Sequence, residues 1–539
     1  MRFINFFSPI AFCFCFIGTS SFSQTNNRIK ETEDAMLHAT TFMVEHVSTN
    51  GGYVWYYTPD LSRRWGEMEA YPTMIWVQDA GTVSMGHLFL DAYHATGNEY
   101  YYEAAAKAAS ALIWGQSNEG GWNYMIDFAG DRSLKEWYNT IGKNGWRLEE
   151  FQHYYGNCTY DDDVTSDAAR FILRMYLEKM DAKYKPTLDK AINFILKSQY
   201  SNGGWPQRYP LKYDFAKAGH PDYSSFYTFN DDVIWENVYF LIQCYETLGE
   251  ERFLDPIYRG MNFYVISQTK NGGWAQQYNM EMRPAGARTY EPSALLPKTT
   301  FANAMLLLKF YEYTGDKKYL QKVPAAIQWL EKTSLPKSMT ENGKYTHPTF
   351  VDPSSDKALF VHRKGSNVKY GYYYVDDSDK NLLKHYGGKT VVNITELKNE
   401  YNRISAFSPG DATKNSPLKP GRFIGKGTPQ TFYILERESY PFLDSINWNV
   451  DEIVHSLDGQ NRWLVKHVMI SHPFIGDGKN KELTNAYCST YVGDETDTSP
   501  YRDTSDQLYI STAAYIKNMT VLINYLQQSK ANSNSKEKQ

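Results

Sequence analysis

The chain has 539 residues, of which 42% are hydrophobic and 22% are charged, so it can bury at least one large core and is not wholly disordered. The formal net charge of −5 lacks the strongly basic balance of nucleic-acid-binding proteins and argues against such a partner. Aromatic residues make up 16% of the chain, which suits both helix packing and the lining of sugar-binding grooves.

The N-terminus has the features of a secretory signal peptide over residues 1–23. Arg2 precedes a largely apolar run at 4–17, and Ser21 and Ser23 form a small-residue cleavage site. The run is too short to span a membrane comfortably, and no other segment reaches about 18 apolar residues. We therefore predict a secreted or periplasmic protein without a transmembrane segment.

A turn with two glycines followed by an aromatic residue recurs at intervals of about 70 to 80 residues, which is the mark of an internal repeat. The four copies are Asn50-Gly-Gly-Tyr53, Glu119-Gly-Gly-Trp122, Asn202-Gly-Gly-Trp205 and Asn271-Gly-Gly-Trp274. Glycine is suited to such turns because it takes the positive φ angles that other residues resist.

Between these turns the hydrophobic spacing predicts helical hairpins at 82–114, 164–196, 233–266 and 301–330. A hairpin cannot bury both of its faces alone, so several must pack side by side. The sequence therefore predicts an all-α fold, an α/α toroid over 24–335 with a closing helix at 506–527. An open superhelix is the alternative.

Residues 336–505 interrupt the repeats, and we predict an irregular excursion that walls a site or fills a surface. Its strand-like pieces are 370–375, 389–394, 422–424, 430–434 and 463–469. The last segment, 528–539, is rich in Lys, Asn and Ser and is predicted to be disordered.

Acidic residues precede the first helix of successive hairpins, at Gln78-Asp79, Asp161-Asp-Asp163 and Asn230-Asp-Asp232. Equivalent positions of successive repeats lie around one end of the toroid axis, so these side chains should converge. Their number exceeds what helix capping needs, and crowded carboxylates repel one another unless a cation lies among them. Oxygen ligands in loose geometry favour Ca²⁺ over Mg²⁺. We predict a Ca²⁺ site that includes Asp162, Asp163, Asp231 and Asp232.

Four ordered motifs between about 155 and 335 resemble the signatures of the family 10 pectate lyases. They are Tyr160-Asp-Asp-Asp-Val-Thr165, Asn202-Gly-Gly-Trp-Pro-Gln207, Phe229-Asn-Asp-Asp-Val233 and Ala287-Arg-Thr-Tyr-Glu-Pro-Ser293. The resemblance implies an α/α toroid, a uronate substrate, Ca²⁺-assisted β-elimination and an arginine base. It places Asp163 and Asp231 or Asp232 on positions that serve Ca²⁺ and substrate, and Arg288 and Glu291 on the Ala-Arg-x-Tyr-Glu segment.

These residue types suit β-elimination from a uronic acid. The proton at C5 lies α to a carboxylate and becomes acidic only when the charge of that carboxylate is neutralised. A metal ion, Arg or Lys can supply this neutralisation. A base then removes the proton, and the oxygen on C4 leaves.

The chain departs from the family where the base is expected, because Thr349 stands at the position that the resemblance assigns to the arginine. Threonine cannot act as that base. His347 is the first candidate replacement, since imidazole titrates near working pH, and Tyr290 is the second. Arg288 is a third catalytic candidate, which is predicted to bind the substrate carboxylate in bidentate fashion rather than to act as the base, and the alternative is an ion pair with Glu291.

Further substrate-binding candidates carry charge, amide or ring groups. Arg363 and Lys364 could bind a carboxylate or a sulfate, Gln207 could bind hydroxyls, and Glu291 is a further substrate-binding candidate. Trp205 could be a sugar platform, although packing at a repeat corner is the simpler role.

The sequence predicts a carbon–oxygen lyase that acts by β-elimination on an anionic, uronate-containing polysaccharide or oligosaccharide, with or without sulfate. One alternative is an oligosaccharide dehydratase of the ulvan type, which eliminates the C4 hydroxyl of a terminal uronate. Another is an unsaturated glucuronyl hydrolase, in which Asp79 or Asp163 would be the acid. The third is a non-catalytic, Ca²⁺-dependent glycan-binding protein.

Overall fold

The structure is a computed structural model that describes residues 18–213, 216–217, 219–420 and 450–537. The α-helices of the described chain are α1 (Gly18–Phe42), α2 (Thr82–Thr96), α3 (Glu99–Gly115), α4 (Asp131–Asn139), α5 (Val164–Lys179), α6 (Lys185–Ser198), α7 (Val233–Leu248), α8 (Leu254–Ser267), α9 (Pro297–Thr314), α10 (Val323–Lys332), α11 (Ile394–Ser405), α12 (Pro409–Ala412), α13 (Val450–His455) and α14 (Thr512–Glu537).

The strands are short. They are β1 (Tyr56–Tyr57), β2 (Arg64–Trp65), β3 (Glu69–Ala70), β4 (Met74–Trp76), β5 (Met125–Asp127), β6 (Cys158–Thr159), β7 (Arg208–Tyr209), β8 (Tyr227–Thr228), β9 (Gln277–Tyr278), β10 (His347–Pro348), β11 (Phe350–Val351), β12 (Ala358–Lys364), β13 (Tyr372–Asp376), β14 (Lys389–Thr390), β15 (Leu464–Val465), β16 (Met469–Ser471), β17 (Pro500–Arg502) and β18 (Tyr509–Ser511).

The helices form successive hairpins, as the hydrophobic spacing predicts. Each first helix packs against the second helix of its own hairpin, in the pairs α2/α3, α5/α6, α7/α8 and α9/α10. The first helices α2, α5 and α7 also contact one another in order, and α14 packs against α2 and α1. This arrangement is an α/α toroid, and the predicted all-α class is confirmed.

The repeated Gly-Gly-Trp turns join neighbouring hairpins. Trp122, Trp205 and Trp274 are buried, and each indole N–H donates to a carbonyl near the end of the preceding helix, at 2.8, 2.9 and 3.0 Å. The first glycine of the turn has a positive φ, 100° at Gly203, and a Cβ there would collide with the carbonyl of Arg259 in the next hairpin. The motif recurs because every junction needs this close approach.

Short strand pairs place each acidic turn beside the next aromatic turn. Strand β6 precedes the turn at Asp161–Asp163 and pairs with β7, which follows Trp205. Strand β8 precedes the turn at Asn230–Asp232 and pairs with β9, which follows Trp274. The same relation joins β4 to β5 in the first repeat.

The excursion at 336–505 is more ordered than the sequence predicts. It contains α11, which packs against α9 and α10 and buries Leu397 and Ile404. The predicted strand pieces at 370–375, 389–394 and 463–469 overlap β13, β14 and β15–β16, whereas 422–424 and 430–434 lie outside the described residues.

Helices lie at both ends of the described chain, where the sequence predicts a signal peptide and a disordered tail. Residues 1–17 of the predicted signal peptide lie outside the described residues, and α1 begins at Gly18. Helix α14 continues to Glu537, so the predicted disordered tail is helical up to that residue, because it holds no Gly or Pro to end the helix. No helix of the described chain is long and apolar enough to cross a bilayer.

Candidate active site

The two acidic turns that precede α5 and α7 pack against each other, so the predicted convergence of their carboxylates is present. Both turns hold two consecutive aspartates in the left-handed region, with φ of 50° and 60° at Asp162 and Asp163 and of 48° and 53° at Asp231 and Asp232. This backbone costs roughly 1–2 kcal/mol per L-residue, although Asp tolerates it better than most. Strained turns of this kind concentrate at functional sites.

The acidic turns are held by neighbouring donors. Asp161 is buried and accepts hydrogen bonds from the Tyr124 hydroxyl at 2.5 Å and from Gln207 Nε2 at 2.9 Å. Gln78 Nε2 donates to Asp162 at 2.8 Å. Enclosure by protein raises the pKa of Asp162 and of Asp231, and their neighbouring carboxylates raise both further. The carboxylates of the two turns therefore carry more negative charge than the neighbouring hydrogen-bond donors balance.

Arg288 lies close to this cluster but is fully committed to protein partners. Its guanidinium donates to both carboxylate oxygens of Glu291, at 2.7 and 3.1 Å, and to the Tyr386 hydroxyl at 2.7 Å. A third partner is Glu150, at 3.3 Å. Of the two roles predicted for Arg288, the structure shows the ion pair with Glu291. Glu291 occupies the two guanidinium nitrogens that a substrate carboxylate would bind.

A cavity of about 380 Å³ opens beside Asp231 and Asp232, which are both exposed to it. Its other polar lining residues are Asn230, Gln276, Lys298, Thr299, Asn303, Thr349, His385, Tyr386, Lys389 and Thr390. It thus combines two carboxylates, two ammonium groups, an imidazole and a phenol. The part of its wall at 385–390 belongs to the excursion.

Thr349 lines this cavity and is covered by the segment at 385–389. Its backbone N–H donates to the Gly388 carbonyl at 3.0 Å, and its hydroxyl donates to the Tyr386 carbonyl at 3.2 Å. The segment that covers Thr349 therefore brings the titratable side chains of His385 and Tyr386 to the cavity that contains the position where the resemblance expects a base.

His385 is a neutral imidazole with a defined tautomer. Burial and the charges of Arg147 and Arg288 lower its pKa to about 2. Arg147 Nη1 lies 2.7 Å from His385 Nδ1, and because a guanidinium can only donate, Nδ1 accepts and Nε2 carries the proton. His385 thus presents a neutral N–H donor at the cavity.

Tyr386 sits between a cation and an anion. Its hydroxyl accepts from Arg288 and donates to Glu291 Oε1 at 2.8 Å. Burial raises the pKa of Tyr386, so the phenol keeps its proton in the resting protein. No sequence motif pointed to His385 or Tyr386, since both belong to the excursion.

The structure does not bring His347 or Tyr290 to the cavity, which corrects both predicted base assignments. His347 is buried, its Nε2 lies 2.9 Å from the Leu330 carbonyl at the end of α10, and its Nδ1 lies 2.9 Å from Thr346 Oγ1. Tyr290 is buried, and its hydroxyl donates to the Arg147 carbonyl at 2.8 Å.

The predicted substrate-binding side chains serve the scaffold in this conformation, and none of them lines the cavity. Arg363 is buried, lies 4.4 Å from the Trp146 ring and donates to the Tyr487 carbonyl. Lys364 Nζ lies 5.5 Å from the Tyr374 ring. Trp205 packs at a repeat corner, and Gln207 and Glu291 hold Asp161 and Arg288 as described above.

The four aspartates predicted to bind Ca²⁺ divide between two surroundings. Asp162 and Asp231 lie beside Asp161, whereas Asp163 lies beside Asp232, Glu236 and Asp167. Asp163 has a buried Oδ1 without a hydrogen-bond partner. Within the described ranges, no group of three or more His, Cys, Asp or Glu side chains is arranged to hold a metal ion. The donor chemistry suits Ca²⁺, but the side chains do not form a complete cage.

Replacement of His347 by glutamine is expected to leave turnover unchanged and to lower thermal stability, because it disturbs buried hydrogen bonds away from the cavity. Initial rates and melting temperatures of the purified variant measure both effects. A large loss of turnover in a variant that melts normally would return His347 to the reaction.

Glu150 makes stability depend on pH. Burial raises its pKa from 4.5 to about 7, so the folded protein binds the proton more tightly than the unfolded chain. Its stabilising contribution is complete below pH 4.5 and is lost as pH rises through about 7, an effect of about 3 kcal/mol. Glu150→Gln should flatten the fall in melting temperature between pH 5 and 8. The exposed Glu281→Gln should not, and a fall as steep as in the wild type would contradict this assignment.

The helical hairpins form an α/α toroid, and the match to the pectic acid lyase family over residues 127–407 identifies the protein as a carbon–oxygen lyase that acts on polysaccharides. The family model for pectic acid lyase matches residues 127–407, slightly more than half of the chain, and the chain belongs to that family. No curated protein matches the chain.

Solved structures similar to the chain include the family 10 polysaccharide lyase from Cellvibrio cellulosa, at 19% identity over 60% of this chain and 98% of that one, with a TM-score of 0.40. A mutant of that enzyme in complex with trigalaturonic acid matches at 19% identity over 59% and 98% of the two chains, with a TM-score of 0.38. A sugar epimerase from a ruminal bacterium matches at 13% identity over 63% and 77%, also with a TM-score of 0.38.

Proposed function

We propose that the protein eliminates the C4 oxygen substituent of a uronate residue bound in the 380 Å³ cavity. The observation that carries this proposal is one cavity that holds Lys298 and Lys389, able to neutralise a sugar carboxylate, beside the Tyr386 phenol. The complex of a similar lyase with trigalaturonic acid supports a uronate substrate.

Lys298 would bind the uronate carboxylate, and Lys389, whose ammonium is already paired with two acidic side chains, would support it from the cavity wall. Lys298 is exposed, whereas Lys389 is buried and held by Asp379 at 2.9 Å and by Glu341 at 3.1 Å. Burial lowers the pKa of Lys389, but its hydrogen bonds to Asp379 and Glu341 together outweigh this and raise the pKa, so Lys389 stays charged throughout the working pH range. A fixed positive charge beside the sugar carboxylate makes the C5 proton more acidic.

Tyr386 would transfer the proton. The hydroxyl oxygen takes the C5 proton while the phenolic proton passes to Glu291, which already accepts from it at 2.8 Å. Arg288 stabilises negative charge on the oxygen during this transfer. The C5–H electron pair forms the C4=C5 double bond, the C4–O bond breaks, and solvent protonates the leaving oxygen. His385 Nε2–H would donate to the charge that develops on the substrate carboxylate.

Asp162 and Asp231, which lie beside each other, would supply two of the ligands of a Ca²⁺ ion, and water and substrate oxygens would supply the others. Such an ion would add charge neutralisation at the sugar carboxylate. The crowding that raises the pKa of Asp162 and Asp231 supports this reading, because a cation would relieve it.

The dehydratase is the second candidate function, and two observations favour it. The cavity is near the lower end of the roughly 300–1,000 Å³ range of small-molecule pockets, which suits a saccharide end better than a long chain. Thr349 also replaces the base arginine that the resemblance assigns to the polymer-cleaving enzymes.

A panel of pectic, alginate-like and sulfated algal uronate oligomers, with and without Ca²⁺, tests these proposals. A rise in ultraviolet absorbance reports the unsaturated uronate. Mass spectrometry then separates the two reactions, since a lyase yields two fragments and a dehydratase yields an unshortened chain that has lost one water. Binding without any chemical change would overturn the proposal in favour of a glycan-binding protein, and saturated fragments whose masses sum to the substrate plus one water would favour a hydrolase.

Export is proposed on the sequence of residues 1–23 alone. Expression of the full chain in a bacterial host, followed by N-terminal sequencing of the exported protein, should find Gln24 as the first residue. Retention of Met1 on cytoplasmic protein would contradict this proposal.

A further inference from the structure

A second cavity of about 310 Å³ lies between the C-terminal end of α3, helix α4 and the start of β6. It shares no lining residue with the active-site cavity. Neither the acidic turns nor the elimination chemistry accounts for its side chains.

An exposed tryptophan lies at this cavity. Trp114 has 57% of its surface accessible, and every other tryptophan in the described part of the chain is buried or half-buried. The ring packs on Phe128 at 4.6 Å, which holds it in place. The half-buried Tyr154 also lines the cavity. Aromatic rings that are fixed yet exposed suit the apolar face of a pyranose.

Two buried polar side chains lining the cavity keep an unused acceptor. Asp127 Oδ1 accepts from Thr73 at 2.7 Å and from the Ala129 N–H at 2.9 Å, whereas Oδ2 has no partner. Asn157 donates to the Pro210 carbonyl at 2.9 Å, and its Oδ1 has no partner. Asp127 and Asn157 are 4% and 7% exposed. Both unpaired oxygens are shielded from solvent, and such acceptors are unfavourable unless a ligand group or a water reaches them after a small movement of the cavity lining.

The charge of the lining selects the ligand. Glu119, Asp127 and Asp131 line the cavity, and no Lys, Arg or His does so among its described residues. These carboxylates are not grouped closely enough to share a metal ion. A ligand must therefore supply hydroxyl donors without negative charge, in contrast to the Lys298 and Lys389 cavity.

We propose that this second cavity binds a neutral pyranose, so that the enzyme holds an uncharged sugar of its glycan away from the reacting uronate. Binding in this second cavity does not depend on the elimination reaction. Its failure and that of the proposed function are therefore separately detectable.

Calorimetric titration of the full-length protein with cellobiose, mannobiose and xylobiose tests the site, with digalacturonate as the charged comparison. At least one neutral disaccharide should bind, and Trp114→Ala should weaken that binding by about tenfold or more. The matched control is Tyr258→Ala, which removes a ring that is 44% exposed on α8 and should leave binding unchanged.

Elimination of a short uronate substrate should stay at the wild-type rate in Trp114→Ala, since no residue of the active-site cavity changes. Absence of binding by all three neutral disaccharides would overturn the site. So would equal binding by wild type and Trp114→Ala, or tighter binding of digalacturonate that Trp114→Ala abolishes.

Discussion

Turnover of Tyr386→Phe is expected to fall by roughly 10²–10⁴-fold, the range for loss of a positioned proton-transfer group. The substitution removes only the hydroxyl that accepts from Arg288 and donates to Glu291. The bidentate contact between Arg288 and Glu291 does not need that hydroxyl, so the fold and the affinity for substrate should be retained. Steady-state rates with the substrate that the panel identifies, together with a melting curve, measure both quantities.

The matched control is Tyr290→Phe. Its hydroxyl donates to the Arg147 carbonyl inside the core, outside the cavity. Loss of this hydrogen bond should cost about 1 kcal/mol of stability and leave turnover nearly unchanged. If Tyr290→Phe lost more turnover than Tyr386→Phe, the proton-transfer role would belong to Tyr290.

The repeat architecture could be predicted from sequence because its signals are local and recur. Each Gly-Gly-aromatic turn carries its own conformational requirement, visible in the positive φ of Gly203. The acidic turns could likewise be placed at one end, because Asp161–Asp163 and Asn230–Asp232 occupy equivalent positions in successive hairpins. In both cases, the similarity between repeats predicts which residues lie near one another, so contacts between distant parts of the chain need not be known.

The wall of the cavity could not be predicted in this way. His385 and Tyr386 reach Thr349 through the pairing of β10 with β14, in which Pro348 faces Lys389. That register joins segments about 40 residues apart across three other strands, so no local sequence pattern indicates it. The two roles open for Arg288 were likewise decided only by three-dimensional packing, which places Glu291, Glu150 and Tyr386 around one guanidinium.

Asp231→Asn is expected to lower turnover by on the order of 10²–10³-fold, the loss typical of removing one preorganised electrostatic group. The same variant should melt at a higher temperature than the wild type in the absence of Ca²⁺. Although its side chain opens onto the cavity, the surrounding walls partly desolvate Asp231 and raise its pKa, and the neighbouring Asp162 and Asp161 raise it further, so its charged form is unfavourable in the folded protein. The neutral amide has the same shape and removes that repulsion.

The direction in which stability changes with pH distinguishes relief of carboxylate repulsion in Asp231→Asn from general damage to the site. Because the pKa of Asp231 is raised on folding, its contribution to wild-type stability is lost as pH rises, and Asp231→Asn should show a smaller decline. Ca²⁺ should raise the melting temperature of the wild type and have little effect on the variant. Asp255→Asn, which alters an exposed carboxylate paired with Arg259 on α8, should retain activity and the Ca²⁺ response. A less stable Asp231→Asn protein that still responds to Ca²⁺ would show that the acidic turns hold the scaffold together and do not bind the ion.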